Sequence, residues 1–208
     1  MDAPESQNAL LPVITEWKPV SAPALPRSVL EGVRRREPRA LESFFEAYFD
    51  RVFGLVYRLL GNRAGAEDVT QEVFYKVHRA ADRLDPARDP MPWLAAIAHN
   101  ACRDYWRSSA YRLTKRSASL EAEPMLQATL AAPGNPEREL LAAERERLVQ
   151  QALMELPEML RVPVVLHDYQ GLSHESIAQV LGIRHDAARK RYSRALAALA
   201  ARLRESLG

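Results

Sequence analysis

The sequence predicts an all-α protein made of two small helical domains joined by a flexible linker, with a helix-turn-helix as the C-terminal domain. Three observations predict this fold. Apolar residues recur at three- and four-residue spacing from Ser28 onward, and no run of strictly alternating residues indicates a strand. Prolines and small residues interrupt this pattern within 117–137, as in a linker. Near the C-terminus, Gly182 separates two helical patterns at a tight turn.

The chain has 208 residues, which is more than one small domain needs. We therefore predict a Pro-rich disordered tail at 1–27, a first domain at 28–116, an acidic flexible linker at 117–137 and a second domain at 138–208. Trp17 stands out in the tail. It is either an isolated apolar residue or part of a short segment that docks on a partner.

The formal charge is only +2, because 29 Lys and Arg nearly balance 27 Asp and Glu, but the charges are unevenly distributed. Five basic residues lie within 97–116 and five more within 184–194, and each of these segments holds one acid. The segment 117–137 between them has three glutamates and no basic residue. This pattern indicates two phosphate-facing surfaces joined by a segment that avoids phosphate.

Several functional classes are disfavoured. No apolar stretch approaches the length of a membrane span and the N-terminus lacks a secretory signal, so we expect a soluble cytoplasmic protein. No Gly-rich phosphate loop or catalytic triad is recognisable, which argues against an enzyme. His99 and Cys102 could supply half a zinc site at most, so we predict no metal and no cofactor. Cys102 lies beside the predicted core, which disfavours a redox role.

In the first domain, three helices follow one another. The first carries a buried stripe from Leu41 to Leu59, which includes Phe44 and Phe45, and it stops at Gly61-Asn62. The second, from Ala64 to Arg79, has one apolar face formed by Ala66, Val69, Val73 and Val77. After breaks at Asp85-Pro86 and Pro90-Met91-Pro92, the third runs from Trp93 to about Arg112 and turns inward Leu94, Ile97, Ala98, Ala101 and Tyr105.

The second domain begins with a helix whose stripe is Leu141, Leu148, Ala152 and Leu156. Pro157 opens a further helix toward Tyr169, and Pro163 should bend it because proline removes a hydrogen bond. Ser173 caps the next helix, Ile177 and Leu181 face a core, and Gly182 makes the turn. The last helix then turns inward Ala188, Tyr192, Ala195, Leu199 and Leu203.

Two surfaces are candidates for nucleic-acid binding. The helix-turn-helix presents its last helix to duplex DNA, although an ordinary helical hairpin is the alternative; the candidate contacts are Ser173, Arg184, His185, Asp186, Arg189, Lys190, Arg191 and Arg194. Asp186 could accept a bond from a cytosine amino group. On the third helix, basic, amide and aromatic side chains suit a melted strand, unless they form only a solvated face; these are His99, Asn100, Arg103, Trp106 and Arg107.

Four ordered motifs resemble the extracytoplasmic-function sigma factors of bacterial RNA polymerase. They are Ala64-Gly-Ala-Glu-Asp-Val-Thr-Gln-Glu-Val-Phe74, Trp93-Leu-Ala-Ala-Ile-Ala-His-Asn100, Leu156-Pro157 and Gly171-Leu-Ser-His-Glu-Ser-Ile-Ala178. The likeness covers about Ser28 to Arg204. It implies that 28–116 is sigma region 2 and that 138–208 is sigma region 4. It also gives a role to the polar stripe of the second helix, which by itself resembles an ordinary solvated face: core polymerase would bind Asp68, Gln71, Glu72 and Tyr75.

By the same resemblance, the loop 84–91 with Asp85 and Arg88 would join the third helix in opening the minus-10 element, and the helix-turn-helix would read the minus-35 element. The linker would thread the polymerase channel. An anti-sigma factor is an expected partner. The residues His185 to Ala188 depart from the common family pattern, so the resemblance implies no particular minus-35 sequence. The chief alternative is a dimeric helix-turn-helix regulator that binds an operator, which would need no clamp-binding helix; a nucleic-acid enzyme is a weaker one.

Overall fold

The structure is a computed structural model that describes residues 25–108 and 136–207. In these two ranges it contains eight α-helices and no strand, which confirms the all-α prediction. The helices are α1 Arg27–Arg34, α2 Pro38–Leu60, α3 Arg63–Arg79, α4 Met91–Arg107, α5 Pro136–Glu155, α6 Glu158–Val164, α7 His174–Leu181 and α8 His185–Leu207. Trp17 with the rest of 1–24, the predicted helix end at Arg112 and nearly all of the predicted linker lie outside the described residues.

The junction of α2 and α3 follows from three residues. Gly61 adopts φ 75, in the left-handed region, and its N–H donates to the Tyr57 carbonyl at 2.8 Å, so α2 ends where predicted. Asn62 then caps α3, because its side-chain oxygen accepts from the Gly65 N–H at 2.7 Å. The predicted apolar face of α3 is confirmed, since its four members are all buried: Ala66, Val69, Val73 and Val77.

Helix α4 packs against both α2 and α3. It begins at Met91, two residues before the predicted start, where the Asp89 carboxylate accepts from the Met91 N–H at 2.9 Å. Leu94, Ala98 and Ala101 are buried as predicted, whereas Ile97 and Tyr105 are only partly buried. Cys102 is fully buried as well.

In the C-terminal domain, Pro163 changes the helix without ending it. Helix α6 continues into a single π-helical segment, Val165–Tyr169, so the predicted bend takes the form of a wider turn. Leu148 is partly buried and Ala152 and Leu156 are buried, as the predicted stripe of α5 requires, and Val149 and Leu153 add to that face. The side chain of Leu141 lies outside the described residues.

The two domains pack against each other, which the sequence did not predict. Helix α2 contacts α5, α6 and the π-helical segment, and α4 contacts α7. One cluster of buried apolar side chains runs through both domains. This packing therefore fixes the position of α4 relative to α8.

Candidate nucleic-acid and polymerase interfaces

The helix-turn-helix is built as its sequence predicts. The Ser173 hydroxyl accepts from the Ser176 N–H at 3.1 Å and caps α7. Gly182 adopts φ 64, and the following Ile183 N–H donates to the Ala178 carbonyl at 3.0 Å, which closes the turn. Ile177 is fully buried and holds α7 on the core. Helix α8 then begins at His185.

The two sides of α8 differ in burial and charge. Four of its five predicted inward residues are buried, namely Ala188, Ala195, Leu199 and Leu203, and Tyr192 is half-buried. Most candidate contacts are exposed, which are Ser173, Arg184, His185, Asp186, Arg189, Lys190 and Arg194. This side can bind phosphates and reach base edges in a groove. Arg191 differs from them, because it is half-buried and lines a cleft that faces α4.

A ring cluster that the sequence did not predict sets the position of α8. The rings of His167 and His174 stack at 4.7 Å between centroids, and Tyr192 lies 5.0 Å from His174. The Tyr192 hydroxyl donates to the Asp168 carboxylate at 2.8 Å. Burial, followed by the charges of neighbouring groups, lowers the pKa of His174, so this ring stays neutral near pH 7. The sequence does contain a signal for this cluster, because three of the five histidines lie close together in it, namely His167, His174 and His185.

The predicted strand-binding face of α4 is partly covered. Asn100, Arg103 and Arg107 are exposed, and Arg107 donates to the Asp104 carboxylate at 2.7 Å. Trp106, a predicted contact for a melted strand, is not accessible at the surface, because it is only 8% exposed. It lines the interdomain cleft with His99, Arg103, Met159, Val162, Leu181 and Arg191. The helix periodicity of α4 alone could not show this, since the covering residues come from the other domain.

The loop before α4 keeps its predicted polar residues at the surface. Asp85 and Arg88 are both exposed and form an ion pair, with the Arg88 Nε 3.2 Å from the Asp85 carboxylate. The Asp85 carboxylate also accepts from the Ala87 N–H at 2.9 Å, which shapes the turn. The pair lies in the connection that enters α4, close in sequence to the candidate minus-10 face.

The half-buried side chain of His99 makes the stability of the fold depend on pH. Burial, and secondarily the charge of Arg103, lower the pKa of His99 to about 4. The unfolded chain therefore binds more protons between pH 6.5 and about 4, so His99 should lower the free energy of unfolding as pH falls through this window. The measurement is chemical denaturation of the wild type and His99→Gln at several pH values, in which the advantage of the wild type should shrink toward pH 4.

The difference in stability between wild type and His99→Gln separates the effect of His99 from that of Glu146, which changes stability with pH in the opposite direction. Burial raises the pKa of Glu146 to about 7, although Arg58 opposes this shift, so Glu146 lowers stability as pH rises between 4.5 and 7. Both chains carry Glu146, and its contribution cancels in the difference. A difference in stability between wild type and His99→Gln that does not change with pH would contradict the assignment.

The polar stripe predicted on α3 lies at the surface. All four members are exposed, which are Asp68, Gln71, Glu72 and Tyr75. Tyr75 is 57% exposed, so its ring is accessible to a partner. Lys76 lies 3.4 Å from the Glu72 carboxylate and 3.5 Å from that of Asp104, so it connects the stripe to α4.

The rings of Phe45, Phe49 and Phe74 form an aromatic cluster beside this stripe. The prediction that Phe45 belongs to the buried stripe of α2 is wrong, because Phe45 is 44% exposed. Its ring packs against Phe49 at 4.9 Å and against Phe74 of α3 at 4.8 Å. Phe44 is buried instead, since adjacent residues lie about 100 degrees apart on a helix and only one of them can point to the core.

Neither a metal site nor a membrane-spanning helix is found in the described residues. Across the described ranges, no group of three or more His, Cys, Asp or Glu side chains could hold a metal ion. Burial raises the pKa of the Cys102 thiol, which keeps it protonated and unreactive. None of the helices in those ranges is both long and apolar enough to cross a bilayer.

Comparisons with known proteins match each of the two domains to a described family. The family described as Sigma-70 region 2 matches residues 44–112, and Sigma-70, region 4 matches residues 146–199. The RNA polymerase sigma-H factor of Pseudomonas aeruginosa is 30% identical over 175 residues, which cover 83% of this chain and 91% of that protein. The ECF RNA polymerase sigma factor SigW of Bacillus subtilis is 30% identical over 178 residues, or 85% and 95% of the two chains.

A solved structure is also similar, that of CnrH in complex with the cytosolic domain of CnrY. It matches with a TM-score of 0.57 and 25% identity, and the match covers 86% of this chain and 96% of CnrH. The fold and its exposed basic helix define a helical DNA-binding protein of the helix-turn-helix class. Within that class, the chain belongs to the extracytoplasmic-function sigma factors.

As a sigma factor, the chain binds core RNA polymerase and directs it to specific promoters. Sigma factors are generally non-enzymatic regulators of transcription. The alternative of a dimeric operator-binding regulator is not favoured, because region 2 matches the domain that would have to serve as its dimerisation domain.

Proposed function

We propose that three surfaces of this sigma factor each bind a different partner. The stripe Asp68, Gln71, Glu72 and Tyr75 binds core polymerase, the face of α4 with the loop 84–91 binds and opens the minus-10 element, and α8 reads the minus-35 duplex. The observation that supports this division most is the exposure of the whole α3 stripe in a domain that matches region 2.

Each surface suits its proposed ligand chemically. The exposed carboxylates and amide of the stripe can pair with basic and polar groups of a protein partner, and Tyr75 adds a large apolar contact at the edge. Asn100, Arg103 and Arg107 can follow a strand backbone and read a base edge. The basic side of α8 neutralises phosphates on a duplex.

The chain has no catalytic role of its own in this proposal, since the chemistry of transcription belongs to the polymerase. It acts in the cytoplasm, where core polymerase and the chromosome are found. An anti-sigma factor is a partner, which the similarity to CnrH, solved in complex with CnrY, supports. The boundaries at 28–116, 117–137 and 138–208, with a linker that enters the polymerase channel, belong to the same proposal.

Run-off transcription tests the proposed function directly. Purified chain is added to core RNA polymerase with genomic fragments as templates, and core alone serves as the reference. The proposal expects new transcripts with defined start sites, each of which depends on the added chain. No association with core and no chain-dependent transcript would refute it.

The polymerase surface can be tested separately with Gln71→Ala combined with Glu72→Ala. Affinity for core polymerase should fall roughly tenfold or more, because both side chains are removed from the centre of the proposed interface. The measurement is fluorescence anisotropy of the labelled chain titrated with core. Glu31→Ala on α1 is the control and should leave affinity unchanged. Equal affinity of the double variant and the wild type would place the interface elsewhere.

A further inference from the structure

The ring cluster joins both helices of the helix-turn-helix to the π-helical segment. His174 is the first residue of α7, and Tyr192 belongs to α8. The ring of His167 lies 4.7 Å from that of His174 and 4.5 Å from that of Tyr192. All three residues belong to the C-terminal domain. The cluster therefore does not depend on how this domain packs against the first one.

One carboxylate anchors two of the three rings. The Asp168 Oδ1 accepts from the Tyr192 hydroxyl at 2.8 Å and lies 2.8 Å from the His167 Nδ1. The Asp168 side chain is only 11% exposed, so both contacts are largely shielded from water. His174 has no such anchor, because its Nδ1 is buried and has no hydrogen-bond partner among the described residues. The ring of His174 is therefore held in the cluster by its contacts with the other rings.

A proton on the His174 ring would enter an unfavourable environment. Both nitrogens of an imidazolium carry a proton, so the buried Nδ1 would hold an N–H without an acceptor. Burial is the largest cause that lowers the pKa of His174, and the neighbouring groups His167, His185 and Arg189 lower it further. Only Asp168 acts in the opposite direction. The neutral ring is therefore the form that fits the cluster.

Helix α4 also packs against α7, and it too carries titratable and charged side chains. Two of them, His99 and Arg103, line the interdomain cleft together with Leu181. Leu181 is the last residue of α7, seven residues from His174, or about 10 Å along a helix. The groups that act on the charge of His174 are therefore those of the π-helical segment and α8.

We propose that His174 is a positioning residue for α8 and makes binding of the minus-35 duplex sensitive to pH: the neutral ring supports Tyr192, whereas protonation separates the rings and weakens binding. The proposal rests on the function assigned above to α8. Tyr192 is half-buried, and the exposed candidate contacts Lys190 and Arg194 lie two residues before and after it. A displacement of Tyr192 therefore moves both contacts relative to the DNA.

The direction of the effect follows from proton binding. A His174 ring that has left the cluster binds a proton near pH 6.5, the ordinary pKa of histidine. Because the pKa of the packed ring is lower, the packed arrangement is favoured above this pH and loses its advantage as the pH falls below it. Acidification of the cell interior would therefore reduce recognition of the minus-35 element.

The test measures promoter binding by holoenzyme, formed with core polymerase in excess, at about pH 7.5 and about pH 5.5, on either side of the ordinary pKa of histidine. The variant is His174→Phe, which keeps a ring in the cluster but cannot bind a proton. Polymerase and the other histidines titrate in both samples, so their effects cancel in the ratio of the two affinities. Relative to His174→Phe, the wild type should lose at least about threefold in affinity at the lower pH.

His78→Phe is the matched control, because His78 is an exposed histidine on α3, far in sequence from the cluster. Its promoter affinity should show the same pH dependence as that of the wild type. A second measurement needs neither polymerase nor a variant: NMR follows the His174 and Tyr192 rings of the full-length wild type during a pH titration. The Tyr192 resonances should shift with the same midpoint as those of His174, below pH 6.5.

The same pH dependence of promoter binding in wild type and His174→Phe would overturn the proposal. A His174 titration that leaves the Tyr192 resonances unchanged, or one with a midpoint at or above pH 6.5, would overturn it as well. Failure of the function proposed for α8 gives a different result. In that case no chain in the series binds the promoter through the minus-35 duplex at either pH, while NMR still reports whether the two rings are coupled.

Discussion

Replacing Arg161 with methionine is expected to lower the free energy of unfolding by about 3–5 kcal/mol. Arg161 is buried, and its guanidinium donates to four backbone carbonyls. Three of them belong to the end of α5 or the residue that follows it, and the fourth ends α2; they are Leu153, Met154, Leu156 and Leu59. The Leu153 carbonyl also accepts from the Leu156 N–H at 3.1 Å. Carbonyls at helix ends lack the usual partner within the helix, so the loss of Arg161 leaves the other buried acceptors unsatisfied.

Urea denaturation followed by circular dichroism measures this effect. Arg63→Met is the matched control, since Arg63 is an exposed helical arginine that pairs with Glu67, one turn away. It should change stability by no more than about 0.5 kcal/mol. A loss below about 1 kcal/mol for Arg161→Met would mean that water or rearranged side chains satisfy the four carbonyls. The central role assigned to this residue would then be wrong.

Replacing both Lys190 and Arg194 with alanine is expected to weaken promoter binding by the holoenzyme about 100-fold. Both side chains are exposed on the side of α8 that faces away from the core. If each contacts a phosphate, the slope of log affinity against log salt should also fall by about 1.8. The loss should apply to the minus-35 duplex, so a template that ends downstream of the minus-35 element should bind wild type and variant equally.

The measurement is a gel-shift or anisotropy titration of reconstituted holoenzyme on a promoter fragment at several salt concentrations. Arg27→Ala with Arg34→Ala is the control, because it removes the same two charges from exposed sites on α1. That control should leave both the affinity and the salt slope within error of the wild type. An unchanged slope for Lys190→Ala with Arg194→Ala would remove α8 from the duplex interface.

Much of the local structure could be predicted because it depends on neighbours in the chain. Gly61 and Gly182 end their helices in the left-handed region, which glycine adopts without steric cost. Ser173 caps α7 through an atom three residues away. The apolar stripes of α3 and α8 follow helix periodicity, which a sequence shows directly. The four motifs also indicate the family without any information on how the helices pack.

Other features could not be predicted, since they depend on residues far apart in sequence. Phe45 and Phe44 are equally apolar, and which of them is buried depends on how α2 faces the rest of the fold. The ring cluster of His167, His174 and Tyr192 joins three separate elements. Arg58 pairs with Glu146, 88 residues away, and no periodicity connects two such positions.

The sequence by itself therefore determined the helices, the turn of the helix-turn-helix and the family to which the chain belongs. It also determined the basic side of α8 and the polar stripe of α3. These follow from spacing within a few residues, where backbone geometry and side-chain periodicity act. Only the tertiary structure decided that Trp106 and Arg191 line one cleft, and that Arg51, Arg58 and Arg161 form hydrogen bonds between the two domains. The reason is physical: burial and charge pairing depend on which surfaces meet, and a linear pattern does not contain that information.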